Sequence, residues 1–192
     1  MPLFLILLLF VSSCSYYSGP AEKVQIAEST QINHLSGLYQ NAGDPSGYLS
    51  QFIWGKDPLH ASIQQSNVEH HQIEVIQVMA NDNNVIIKAI SNGCVLHQAK
   101  YIHGKDFEIN NGKILLHAEN FLISRGSDDP LLGPSSQKVS LMLDVSGDGI
   151  YRDESFAAGL VYLLIPVAVS NVSEIRFEKS VNGLIYRHCV AR

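Results

Sequence analysis

The 192 residues carry 13 Lys and Arg against 18 Asp and Glu, a formal net charge of -5. No run of Lys or Arg could follow a phosphate backbone, which argues against a nucleic-acid partner. Hydrophobic residues make up 46% of the chain and charged residues 16%; this excludes a disordered polymer and supplies a core that needs no disulfide to form.

Residues 3–11, Leu3-Phe4-Leu5-Ile6-Leu7-Leu8-Leu9-Phe10-Val11, are an unbroken apolar run. It is shorter than the about 20 residues of a spanning helix and suits the core of an export signal. The run leads into Val11-Ser12-Ser13-Cys14. This tetrad resembles the lipobox of bacterial lipoproteins: an aliphatic residue, two small residues that let a peptidase hold extended backbone, and the cysteine that takes a diacylglycerol. The resemblance implies a signal peptide over residues 1–13, a lipid on Cys14 and attachment to a membrane outside the cytoplasm. Met1-Pro2 departs from the pattern, because it offers no Lys or Arg ahead of the apolar run. Ser15 follows the cysteine, and by similarity to the sorting rule of enteric bacteria this favours the outer membrane, facing the periplasm.

With Cys14 set aside, Cys94 and Cys189 remain. In an oxidising compartment they are open to two readings, a disulfide or a buried small hydrophobe with a free thiol elsewhere. Residues 14–33 mix Ser, Gly, Pro, Gln and Glu without a period and predict a flexible tether after the lipidated cysteine. A single β-rich domain is expected over residues 34–192.

Residues 35–41 alternate like a first strand, and Asn41-Ala42-Gly43-Asp44-Pro45 ends it with turn formers. Tyr48, Leu49, Phe52 and Ile53 fall at helical spacing and predict one short helix before Gly55. Residues 72–79 read as a strand whose apolar phase slips between Val75 and Ile76, which predicts a bulge or burial on both faces. Asn81-Asp82-Asn83-Asn84, Asn92-Gly93, Asn111-Gly112 and Asn182-Gly183 separate further apolar segments, the signature of hairpins. Val139, Leu141, Leu143 and Val145 alternate with Ser140, Met142 and Asp144 and predict a strand buried on its apolar face. Residues 158–165 are continuously apolar and read as a central strand buried on both sides, stopped by Pro166.

Sites for chemistry are sparse. Asp144-Val145-Ser146-Gly147-Asp148-Gly149 begins like a calcium loop, but its last ligand position holds Ser155, with Glu154 one place early; a glycine-rich hairpin turn is the better reading. His97 and His103 share a strand face and His70-His71 are adjacent, yet no metal-ligand spacing joins them. Gly43-Asp44-Pro45-Ser46-Gly47 lacks the frame of a serine elbow. Cys94 and His97, three apart on a strand, point to opposite faces, which separates thiol from base. Residues 124–136 form the longest irregular run and predict a connection. No catalytic set, metal site or cofactor emerges.

The lipobox together with Leu35-Ser36-Gly37-Leu38-Tyr39-Gln40-Asn41 and Gly159-Leu160-Val161-Tyr162-Leu163-Leu164-Ile165-Pro166 resembles the layout of small envelope lipoproteins of Gram-negative bacteria. Gly37-Leu38-Tyr39 is also similar to the first-strand Gly-x-Trp of lipocalins, with tyrosine in place of tryptophan. The expected fold is all-β, an antiparallel rolled sheet or barrel of nine or ten strands with one short helix. The expected role is a non-catalytic binding or assembly module with an envelope protein partner; the alternative is a lipocalin-like carrier of a lipid or other apolar ligand. Apolar side chains are expected to fill the domain's own core, leaving membrane attachment to the lipid anchor.

Overall fold

The computed structural model describes residues 12–28, 31–54, 69–124, 131–161 and 165–180. They are mostly strand, with one short α-helix. In chain order the strands are β1 (Ser12–Ser18), β2 (Gly37–Gln40), β3 (Val75–Ala80), β4 (Asn84–Ser91), β5 (Cys94–Ile102), β6 (Phe107–Asn110), β7 (Lys113–Ser124), β8 (Leu131–Leu143), β9 (Gly149–Val161) and β10 (Ile165–Phe177). The helix α1 spans Leu49–Trp54. The sheets run β1-β10-β9-β8-β7-β6 and β2-β3-β4-β5. Both are open, so no closed barrel forms among the described residues.

Turn chemistry explains the hairpins. Asn92 and Gly93 have φ of 50° and 71°, and Asn111 and Gly112 repeat those values. Two consecutive positive φ angles define the two-residue turn whose twist matches paired strands, and Asn-Gly adopts it at low steric cost. These turns join Ser91 to Cys94 and Asn110 to Lys113. Between β3 and β4, the Asn81 carboxamide oxygen accepts from the amides of Asn83 and Asn84 at 3.0 and 2.9 Å, and the side chain folds the chain back locally.

The chain divides into two compact units. The first comprises residues 1–18, 117–139 and 152–173; the second comprises residues 19–116, 140–151 and 174–192. In the second unit, Tyr39, Ile76, Val85, Ile87, Phe107, Ile114, Met142, Ile150 and Phe177 form the core. Each such large side chain contributes about 1.5–3 kcal/mol on full burial. The α1 residue Phe52 stacks on Tyr151 at 4.3 Å between ring centroids and meets Phe177 edge-on at 6.3 Å. Gly43 is required by close approach: a Cβ there would meet the Ile175 side chain at 2.6 Å and the Arg176 carbonyl at 2.9 Å.

Also within the second unit, β2 and the residues after it make antiparallel bridges to the last described residues, Tyr39 with Lys179 and Asp44 with Arg176. The Gln40 amide donates to the Glu178 carbonyl at 2.9 Å and the Ser180 amide to that of Leu38 at 2.7 Å. Residues 25–27 are paired too, through a bridge between Ile26 and Asp144 and hydrogen bonds to Leu143 and Val145. The segment expected as a tether therefore carries paired backbone here and in β1.

The pairing of β3 with β2 and β4 is regular, with Ile76 buried and Val75 and Gln77 half-buried, and the register shift lies between β4 and β5, where Ala89 pairs His97 and Ile90 pairs Val95, leaving Leu96 as the extra residue of β5. Four expectations are corrected. Over residues 139–145 the buried residues are Ser140, Met142 and Asp144, whereas Val145 is 65% exposed; the polar side chains turn inward because Asp144 has partners there. Residues 158–165 are not one buried strand: β9 ends at Val161, β10 begins at Ile165, and Leu160 and Ile165 are exposed. Pro166 lies within β10, and Leu131 to Ser136, expected as loop, belong to β8.

Candidate functional site

The residue that the sequence marks most sharply, Cys14, sits in β1 and is an exposed free thiol. Strand β1 runs parallel to β10, with Cys14 opposite Val169, Tyr16 opposite Asn171 and Tyr17 opposite Val172. Alternation along a strand then puts Cys14, Tyr16, Val167 and Val169 on one face of the sheet. Tyr16 is 66% exposed, and Val169 is exposed beside the thiol. The parallel pairing gives the exposed cysteine a fixed neighbour in Val169.

Cys94 opens β5 directly after the Asn92-Gly93 turn. Cys189 lies outside the described residues, as does the Asn182-Gly183 turn. The disulfide between Cys94 and Cys189 is thus a proposal.

A polar cluster in the second unit was not legible in the sequence. The Asn41 side chain is buried; its Nδ2 donates to the carbonyls of His70 at 2.7 Å and Ile73 at 3.0 Å, and its Oδ1 accepts from the Ser50 amide at 2.8 Å. One carboxamide thereby ties β2, α1 and the 3-10 turn His70–Gln72 together. Its residue type and turn-rich context suggest only a turn former, because its partners lie 9 to 32 residues away. The Ser50 hydroxyl is 3.0 Å from the His70 ring Nδ1. Burial lowers the His70 pKa from its ordinary value. The distance suits a serine and its base, but Ser50 is fully buried, so substrate has no access to the hydroxyl and the pair serves packing.

The Asp144 turn is a second polar cluster. Asp144 Oδ1 accepts from the amides of Ser146 at 2.8 Å and Asp148 at 2.9 Å, while Gly147 supplies a φ of 88°. Its Oδ2 lies 3.4 Å from Arg176 Nε, a charge contact without the direction of a hydrogen bond. Asp148 Oδ1 accepts from the Lys179 amide at 2.8 Å. Burial raises the Tyr39 pKa above its ordinary value, and the Asp148 carboxylate raises it further; the phenol stays protonated and donates to the Leu35 carbonyl at 2.8 Å. The carboxylates that suggested a calcium loop face amides and a guanidinium inside a hairpin turn.

The histidines go separate ways. His97 meets Trp54 edge-on at 5.2 Å, His103 stacks on Phe107 at 5.6 Å, and His71 faces Glu69 at 3.1 Å. Among the described residues no three His, Cys, Asp or Glu side chains gather as a metal site. Gly43 to Gly47 is a turn across which the Gly43 amide bonds the Gly47 carbonyl at 2.9 Å.

The apolar cavity in the second unit, lined by residues including Leu35, Tyr39, Ile53, Val85, Leu141 and Phe177, holds about 40 Å³. Ligand sites measure roughly 300–1,000 Å³. Among the described residues no helix is long and apolar enough to cross a membrane. No family model, curated protein or solved structure matches the chain.

Proposed function

We propose that this chain is an envelope lipoprotein, anchored by a diacylglycerol thioether on Cys14 after removal of residues 1–13, and that its β-rich part is a non-catalytic binding or assembly module. The observation that carries the reading is the apolar run of residues 3–11 ending in Val11-Ser12-Ser13-Cys14. The exposure of the Cys14 thiol is compatible with its acylation. Ser15 favours the outer membrane, with the module facing the periplasm. The carrier alternative needs a cavity of several hundred Å³, and the apolar cavity described in the second unit holds about 40 Å³. The bridges from β2 to residues 176–180 favour a rolled arrangement of the strands in the second unit.

The test is metabolic labelling with a fatty acid in a Gram-negative host. The native chain is expected to take up label and Cys14→Ala to take up none, because the substitution removes the acceptor thiol. Equal labelling of both would overturn the anchor.

A further inference from the structure

Every large apolar side chain buried among the described residues belongs to the second unit. In the first unit Tyr16, Tyr17, Phe156, Leu160, Ile165 and Val169 are exposed, while Val139, Val167 and Val172 are half-buried. Residues 12–18, 131–137 and 155–173 contain no Asp, Glu, Lys or Arg, and the unit's charged residues are Glu119, Arg125, Asp128, Asp129, Lys138, Arg152, Asp153 and Glu154. On the face of β1 and β10 that carries Cys14 no residue is charged, and Tyr16, Ile165 and Val169 are exposed, which marks a surface that another phase can cover.

The register identifies which phase. Cys14, Tyr16, Ile165, Val167 and Val169 share one face, so the sulfur proposed to carry the lipid emerges from this uncharged surface. Tyrosine suits such a place, because its ring is apolar while its hydroxyl reaches water at the headgroup level. The surface does not span a bilayer: β1 ends the sheet as an open edge, and unpaired backbone is not tolerated in hydrocarbon. It suits the depth of an amphipathic surface, about 5–10 Å into the headgroup and acyl boundary.

We propose that the sheet face bearing Cys14, Tyr16, Ile165 and Val169 is a membrane-seating surface that rests on a phospholipid bilayer beside its own lipid anchor. The proposal rests on the anchored reading above and adds a second attachment to it. The diacylglycerol supplies two acyl chains, and apolar surface adds to that attachment.

The test uses the full chain processed in a Gram-negative host, purified from membranes and reconstituted in phosphatidylethanolamine and phosphatidylglycerol vesicles with brominated acyl chains. Trp54 is the only tryptophan and is buried, so the unsubstituted protein sets the baseline. Tyr16→Trp and Val169→Trp each add an indole at an exposed position, and circular dichroism checks that both fold as the parent does. Bromine is expected to quench the added emission by roughly half or more at this depth, with Trp54 emission little changed. Mass spectrometry of the amino-terminal peptide reports the lipid in the same samples. Lipid present with both indoles unquenched overturns the seat and leaves the anchor standing; lipid absent overturns the anchor and this proposal with it. Unquenched indoles in a protein that cross-links as a dimer overturn the seat in favour of a second copy covering the face.

Discussion

Asn41 shows how one side chain can organise a fold without being a chemical site. Its carboxamide satisfies two carbonyls and one amide of buried backbone, and each such group left unpaired costs about 1–3 kcal/mol. Asn41→Ala is therefore expected to lower stability by about 3 kcal/mol in urea unfolding; a loss below about 1 kcal/mol would show that water replaces the clip. His70 next to it gives a pH signature. Burial lowers its folded pKa below the ordinary histidine value of 6.5, so the unfolded chain takes up the proton first as pH falls. The stability due to neutral His70 is complete above about 6.5 and declines as pH drops from there towards the folded value. Between pH 7 and pH 5, the fall in Tm is expected to be smaller in His70→Gln than in the parent; equal falls would remove His70 as the cause.

At the scale of elements, β8 separates apolar pattern from burial. Val139, Leu141, Leu143 and Val145 look like the inner row, yet Ser140, Met142 and Asp144 are the buried set. Asp144 fixes this phase, since its carboxylate bonds the amides of the following turn and faces Arg176. A charge placed at Met142 enters the core unpaired, whereas one at Val145 meets solvent. Met142→Asp is expected to unfold the protein or cost more than about 3 kcal/mol, and Val145→Asp to change Tm little; the reverse order, read by thermal melting, would restore the phase suggested by the sequence. The hairpins, by contrast, were legible from residue type alone, because Asn92-Gly93 and Asn111-Gly112 carry the positive φ angles their turns require.

For the whole molecule, the contrast lies in where the fully buried apolar side chains are: among the described residues they belong to the second unit, while Tyr16, Tyr17, Phe156, Leu160, Ile165 and Val169 of the first are exposed. The proposed Cys94 and Cys189 disulfide would close a loop of nearly a hundred residues, for which chain-entropy estimates reach about 4.7 kcal/mol and typical values are about 2–4 kcal/mol. In the Cys14→Ala variant, unfolded without reductant, no thiol is expected to react with maleimide, and reduction is expected to release both. Two reactive thiols before reduction would refute the pairing.

The sequence by itself determined the β-rich class, the position of the short helix and the Asn92-Gly93 and Asn111-Gly112 hairpins. These depend on local periodicity and backbone sterics, both of which act over a few residues. Only the tertiary structure decided that Ser140, Met142 and Asp144 face inward, that Asn41 reaches Ser50, His70 and Ile73, and that β9 ends at Val161 and β10 begins at Ile165. Those outcomes depend on which groups from distant segments arrive as partners. A buried polar group is stable only where its partner lies, and an apolar run is buried only where another layer covers it.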